Sequence, residues 1–138
     1  MNVRPAFDTN IVLYLLSSGE KRDIAAELLS EGGTISVQVL NEVANVMRRK
    51  QHRDWEEIEK FTALLASVCS IKSLDRRIPQ QGLEIARQHQ LSIYDSMIVA
   101  SAYLSHCRIL YSEDMQYGFE YRSVRILNPF YRANSTPQ

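Results

Sequence analysis

No apolar run in this chain of 138 residues approaches the roughly 18 residues that a membrane span requires. Nor does the chain open on a basic segment leading into an apolar core and a small-residue cleavage site, so a cytoplasmic protein is expected. Cysteine is scarce. Cys69 and Cys107 each stand beside apolar residues without C-x-x-C or Cys/His spacing, which excludes a zinc site or a disulfide framework and predicts two reduced, buried thiols. Net charge is missing too: sixteen basic residues balance sixteen acidic ones, so bulk charge does not mark a nucleic-acid binder and only its distribution can. Low-complexity tracts and internal repeats are absent, and residues 133–138 alone read as a disordered tail.

What remains is ordinary for a globular protein, 45% hydrophobic and 23% charged. Residues 1–132 read as one domain, long enough to bury about 70% of the surface exposed by the unfolded chain. Its organising stretch is Arg4-Pro5-Ala6-Phe7-Asp8-Thr9-Asn10, a short apolar run that stops at an aspartate and two small polar residues. Pro5 is tolerated at the start of a strand but not inside a paired ladder, so a short first strand is expected, with its chemistry at the carboxyl end where open α/β sheets bind ligands. Ile11 to Leu16 stays apolar without a turn signal and reads as a short covering helix.

Lys21 to Ser30 has Ile24, Ala25, Leu28 and Leu29 at helical spacing and is stopped by Gly32-Gly33. Thr34 to Val37 reads as a second strand. Ser36 can cap a following helix that reaches about Lys50, with Leu40, Val43, Ala44 and Met47 central to its apolar stripe and Glu42 at the stripe's edge. Asp54 to Val68 reads as a helix capped by Asp54 and buried through Trp55, Ile58, Phe61, Leu64 and Leu65 against the helix before it. A third strand is expected at Ser70 to Leu74, then a helix opened by Pro79, running from Gln80 to Gln90 and buried through Leu83, Ile85 and Ala86. Tyr94 to Ser105 is apolar almost all round and is expected to be the best buried helix. Arg108 to Tyr111 and Val124 to Leu127 complete about five short strands. Strands separated by helices predict a three-layer α/β/α sandwich on a mostly parallel sheet.

Four acids fall at strand ends or at the start or edge of a buried helix: Asp8, Glu42, Asp95 and Asp114. In a parallel sheet the ends of strands one and four open on the same edge, which also receives the start of the helix leading into strand four. Each acid also has a plainer use. Asp8 suits a helix cap, Asp95 in Ser92-Ile93-Tyr94-Asp95 fits a capping box, Glu42 suits a solvated helix edge, and Asp114 or Glu113 suits the start of a turn. Carboxylates gathered in one place raise one another's pKa unless a cation joins them. Oxygen ligands without His or Cys suit Mg²⁺ or Mn²⁺, and two such ions about 4 Å apart stabilise both oxygens of an in-line phosphoryl displacement.

The ensemble of Asp8-Thr9-Asn10 after the first strand, Glu42 in the helix after strand two, Tyr94-Asp95-Ser96 opening a small-residue helix and Ser112-Glu113-Asp114 after strand four resembles a PIN-domain nuclease. Within that family it is most similar to the VapC-type ribonuclease toxins of toxin–antitoxin pairs, over Val3 to about Pro129. The resemblance implies that Asp8, Glu42, Asp95 and Asp114 are catalytic, metal-binding acids for Mg²⁺ or Mn²⁺, supported by Thr9, Asn10 and Ser112. It further implies an RNA substrate, a cognate antitoxin and a homodimer. The family often carries Thr-x-Asp after strand four, so the adjacent acids here leave open whether Glu113 joins the metal site.

The basic run Arg48-Arg49-Lys50-Gln51-His52-Arg53 closes a helix, where cations are favourable without any ligand, and with Arg76 and Arg77 it also suits RNA phosphates or an acidic peptide. Tyr117, Phe119 and Tyr121 suit base stacking or the core. Three other readings stand beside a toxin: a PIN nuclease of RNA processing, a non-catalytic binder on the same fold, and a receiver-like signalling module. The last needs an acidic pair near strand one and a lysine after strand five. Val3-Arg4-Pro5-Ala6-Phe7 and Asn128-Pro129 supply neither.

Overall fold

The computed structural model describes residues 4–131, so the expected tail at 133–138 lies outside the described residues. The chain runs β1 (Ala6–Phe7), α1 (Thr9–Leu13) with a 3-10 turn Tyr14–Leu16, α2 (Glu20–Ser30), β2 (Thr34–Ser36), α3 (Val37–Arg49), α4 (Trp55–Val68) and β3 (Ser70–Lys72). It continues through α5 (Arg77–His89), α6 (Ile93–Leu104), β4 (Ile109–Tyr111), β5 (Glu120–Tyr121) and β6 (Val124–Leu127). One sheet of order β3-β2-β1-β4-β6-β5 holds the strands, parallel throughout except that β5 runs antiparallel to β6. Helices cover both faces, giving the three-layer α/β/α architecture, and no helix among the described residues is long and apolar enough to cross a membrane.

The strand order positions the site. From β1 the chain crosses first toward β2 and β3, and later returns to β1's other side as β4, so the order reverses between β1 and β4. A reversal of this kind opens a crevice at the carboxyl ends of the strands. Phe7 registers against Tyr111, which sets Asp8 beside Ser112, and the Asp8 amide donates to the Tyr111 carbonyl at 2.9 Å. On β1's other side, Gly33 allows close approach: a Cβ there would stand 2.3 Å from a Phe7 ring carbon and 2.6 Å from the Pro5 carbonyl oxygen.

Local chemistry explains most of the helices. The Ser36 hydroxyl accepts the Val39 amide and caps α3, while the Asp54 carboxylate accepts the Glu57 amide and caps α4. On α3, Val39, Val43 and Met47 are fully buried at spacings of four, with Leu40 and Ala44 packed partly against the core, and α4 packs against it as expected. Helix α6 buries six of its residues, including Ile98, Val99 and Ala100. Both cysteines are free and buried, and burial pushes the Cys69 thiol up to about 11.

The sheet bears out the expected architecture with six strands where about five were expected. The extra one, β5, is two residues long between the Gly118 turn and the left-handed Arg122, too short for any periodicity. On α4, Ile58 and Leu65 are buried with Phe61 partly so, but Trp55 is 62% exposed and Leu64 55%. The Trp55 ring lies under the Arg48 guanidinium at 4.4 Å, and Leu64 precedes the buried Leu65, a 100° step round the helix. Helix α5 starts at Arg77 rather than at Pro79, and Leu83 is exposed. Its buried stripe runs through Ile78, Gly82 and Ile85. A Cβ at Gly82 would stand 2.8 Å from Met97 Cγ, so the missing side chain is what lets α5 lie against α6.

Candidate active site

Strand β1 ends directly in α1, and Asp8 is the residue that turns the chain. It is the α1 N-cap, its Oδ1 accepting the Thr9 amide at 2.7 Å and its Oδ2 accepting the Ser112 hydroxyl at 2.7 Å. Capping and site geometry therefore coincide. Ser112 also accepts the Met115 amide at 3.2 Å, which closes the turn after β4. Thr9 donates its hydroxyl to Glu42 Oε2, drawing the edge of α3 toward α1. Gln38, one turn before Glu42, donates to Glu42 Oε1 and to the Tyr94 carbonyl, each at 3.1 Å, and so ties α3 to the start of α6. There Ser92 caps α6 by accepting the Asp95 amide at 3.1 Å, and the Asp95 carboxyl is also bonded to Ser92.

Electrostatics report the convergence. Burial pushes the Asp8 carboxyl from its ordinary 3.8 up to about 6, against the lowering effect of the Ser112 and Thr9 bonds, and the charges of Asp95 and Glu42 push the same way. Asp95 is raised by burial and by Glu42 and Asp114, outweighing its bond to Ser92. Asp8, Glu42 and Asp95 thus share a field, and Asp114 reaches it through Asp95 alone. No ion pair among the described residues includes any of them. Asp114 is exposed at the rim, and one residue past Asp95 the Ser96 hydroxyl is fully buried without a hydrogen-bond partner among the described residues.

Glu113 is placed differently. Its carboxylate accepts the Tyr14 hydroxyl at 2.5 Å and pairs with Lys21, while its amide donates to Asn10 Oδ1 at 3.4 Å. Burial works upward on this carboxyl, but the bonds from Lys21 and Tyr14 hold it below the ordinary range. Sequence reasoning missed Gln38, Tyr14 and Lys21. Only Gln38 carried a signal, since residues four apart on a helix are neighbours.

Among the described residues no group of three His, Cys, Asp or Glu side chains is placed to hold one ion together. Mg²⁺ is usually held by one or two carboxylates, with waters and substrate phosphates completing its shell. Oxygen donors without His or Cys and without a protein cation among the described residues, Asp8 and Asp95 among them raised in pKa, suit such an ion in kind. Beyond Gln38 lies a cavity of about 480 Å³, lined by Asn41, Leu74, Ile78, Tyr94 and Met97 among others; none of the four acids lines it.

The sheet is a doubly wound α/β one, with Asp8 at its β1/β4 switch point. The PIN-domain profile matches residues 6–119, so the chain belongs to the PIN-domain family. No curated relative matches the sequence. Among solved structures it is similar to a toxin–antitoxin complex from Klebsiella pneumoniae, at TM-score 0.70 and 22% identity over 91% of this chain and 98% of that one. Mycobacterium tuberculosis VapC20, described as a sarcin-ricin-loop-cleaving toxin, matches at TM-score 0.66 and 19% identity over 80% and 89%. VapBC2 from Rickettsia felis, bound to a DNA fragment of its promoter, matches at 0.65 and 18% over 90% and 97%.

Proposed function

We propose that this PIN-domain protein is an endoribonuclease that depends on Mg²⁺ or Mn²⁺ and acts as the toxin of a toxin–antitoxin pair. The observation that supports the catalytic part is that Asp8, at the β1/β4 crevice, and Asp95 are raised in pKa and feel Glu42, with Asp114 acting on Asp95, while none of the four is paired with a cation among the described residues. A bound divalent ion would neutralise this charge and activate water toward a phosphodiester. Asp8, oriented by Thr9 and Ser112, and Glu42, oriented by Thr9 and Gln38, would hold it with Asp95 and Asp114. Exposed Arg49, Lys50 and Arg76, in no ion pair among the described residues, are available to RNA phosphates. Of the three aromatics first considered for stacking, Tyr121 is buried, Phe119 packs on the core and Tyr117 is 46% exposed. Tyr117 is therefore the one open to a base.

Purified protein given Mg²⁺ or Mn²⁺ is expected to cut single-stranded or loop RNA and to leave duplex DNA of the same sequence intact, because unpaired bases can be splayed from the strand. Equal or faster hydrolysis of the duplex would remove the ribonuclease reading.

The partner reading draws on the similar structures, two of which are described as toxin–antitoxin assemblies. A homodimer belongs to the same proposal, and exposed Leu74, Leu83, Ile93 and Tyr94 offer apolar surface for it. Expressed alone, the wild type is expected to arrest growth, and Asp8→Asn to be tolerated. Free growth of cells making soluble, active wild type would leave an RNA-processing nuclease as the better reading.

A further inference from the structure

We infer that Tyr14, Lys21 and Glu113 form a positioning clamp that fixes the turn Ser112-Glu113-Asp114 and so sets where Asp114 presents its carboxylate, an inference that rests on the nuclease reading of the acids. Asp114 has no hydrogen bond or ion pair of its own among the described residues, so its position is inherited from its neighbours. Ser112 is held by its bonds to Asp8 and Met115. Glu113 is held at both ends, its amide on Asn10 and its carboxylate on Tyr14 and Lys21. The two carboxylate oxygens are divided between the partners, Oε1 accepting from Tyr14 and Oε2 from Lys21. Charge-assisted bonds of this kind are among the stronger ones in proteins.

The clamp is itself braced. Lys21 Nζ stands 5.3 Å from both the Tyr14 and Phe130 ring centroids and 3.4 Å from the Tyr14 hydroxyl, while the two rings meet edge to face at 5.1 Å. The 3-10 turn after α1 and the start of α2 therefore meet on the carboxylate carried by the turn after β4, and the turn after β6 braces both partners through Phe130. A cation between two ring faces is restricted in its rotamers, so Lys21 acts as a fixed counter-charge. Glu113, Lys21 and Tyr14 are positioning residues, and the signs of their variants separate this role from the other use of Glu113, as a metal ligand.

The test compares wild type with Lys21→Met, Lys21→Arg and Glu113→Gln, and with Lys60→Met, which breaks the remote pair with Glu56 on α4. Mn²⁺ binding is measured by calorimetry without RNA, RNA cleavage by kcat and KM, and exchange of the Glu113 and Met115 amides without metal. Removing a residue that orients a ligand costs about 10-fold or more in affinity or rate. Lys21→Met and Glu113→Gln are expected to weaken Mn²⁺ binding and lower kcat by that factor with KM for RNA unchanged, and to speed exchange of both amides. Lys21→Arg should restore all three, and Lys60→Met should match wild type. Tighter Mn²⁺ binding by Lys21→Met would overturn the clamp, because Lys21 would then be withholding a ligand. So would a lower melting temperature with affinity, kcat and exchange unchanged. If wild type binds no Mn²⁺, the metal-nuclease reading fails, while unaltered or faster amide exchange in Lys21→Met still decides for or against the clamp.

Discussion

Asp8→Asn is expected to melt above the wild type at pH 8 without metal, and to lose RNA cleavage when metal is supplied. The Asp8 carboxyl is buried and stands near Asp95 and Glu42, so its folded-state pKa rises from 3.8 to about 6. A raised acid pKa means the folded protein binds the proton more tightly than the unfolded chain between those values, so stability falls as pH rises through that window. The contribution is fully present below 3.8 and lost as pH climbs past about 6. Asparagine resembles the protonated acid at every pH and caps helices about as well as aspartate. Its advantage at pH 8 is therefore on the order of 3 kcal/mol at most, which is the size of the shift expressed as energy. At pH 4 most of the advantage is gone, and it disappears well below pH 3.8, where wild-type Asp8 is protonated in both states. Urea unfolding of both proteins at pH 8 and pH 4 reads this directly. A wild type that is the more stable at pH 8 without metal would mean that the bonds from Thr9 and Ser112 outweigh burial.

Much of this arrangement was legible in the sequence because it rests on local chemistry. Ser36 and Asp54 cap the helices they precede, Asp8 ends a strand, and the alternation of short strands with helices fixes a parallel three-layer sheet. Sequence proximity does not report groups that meet only in the folded chain. Lys21 reaches Glu113 across 92 positions and Thr9 reaches Glu42 across 33, with no periodicity to announce either. Glu113 could not be separated from Asp114 for that reason. The misread face of α5 has another cause: a contact made by Gly82 lacks the apolar side chain that hydrophobic patterning detects. Trp55 reads from the sequence as part of the buried apolar face of α4, yet it opens α4 and has the Arg48 guanidinium, from the preceding helix, over its ring.

The largest stabilising effect expected is that of the metal. An ion that binds only the folded state at a hundred times its dissociation constant adds about 2.7 kcal/mol. For a domain of this size that raises the melting temperature on the order of 10 °C. The gain has a structural source in acids whose charge is costly in its absence, chiefly through burial and to a lesser degree through mutual repulsion. Removing either charge relieves that repulsion and removes a donor, so both variants start from an equal or higher melting temperature in chelator and respond less to metal. The decisive measurement is the thermal melt of wild type, Asp8→Asn and Asp95→Asn, each in EDTA and in saturating Mn²⁺. A large upward shift in the wild type, mostly lost in both variants, is the predicted result. Equal metal-induced shifts in all three proteins would contradict the assignment of these aspartates to the metal site.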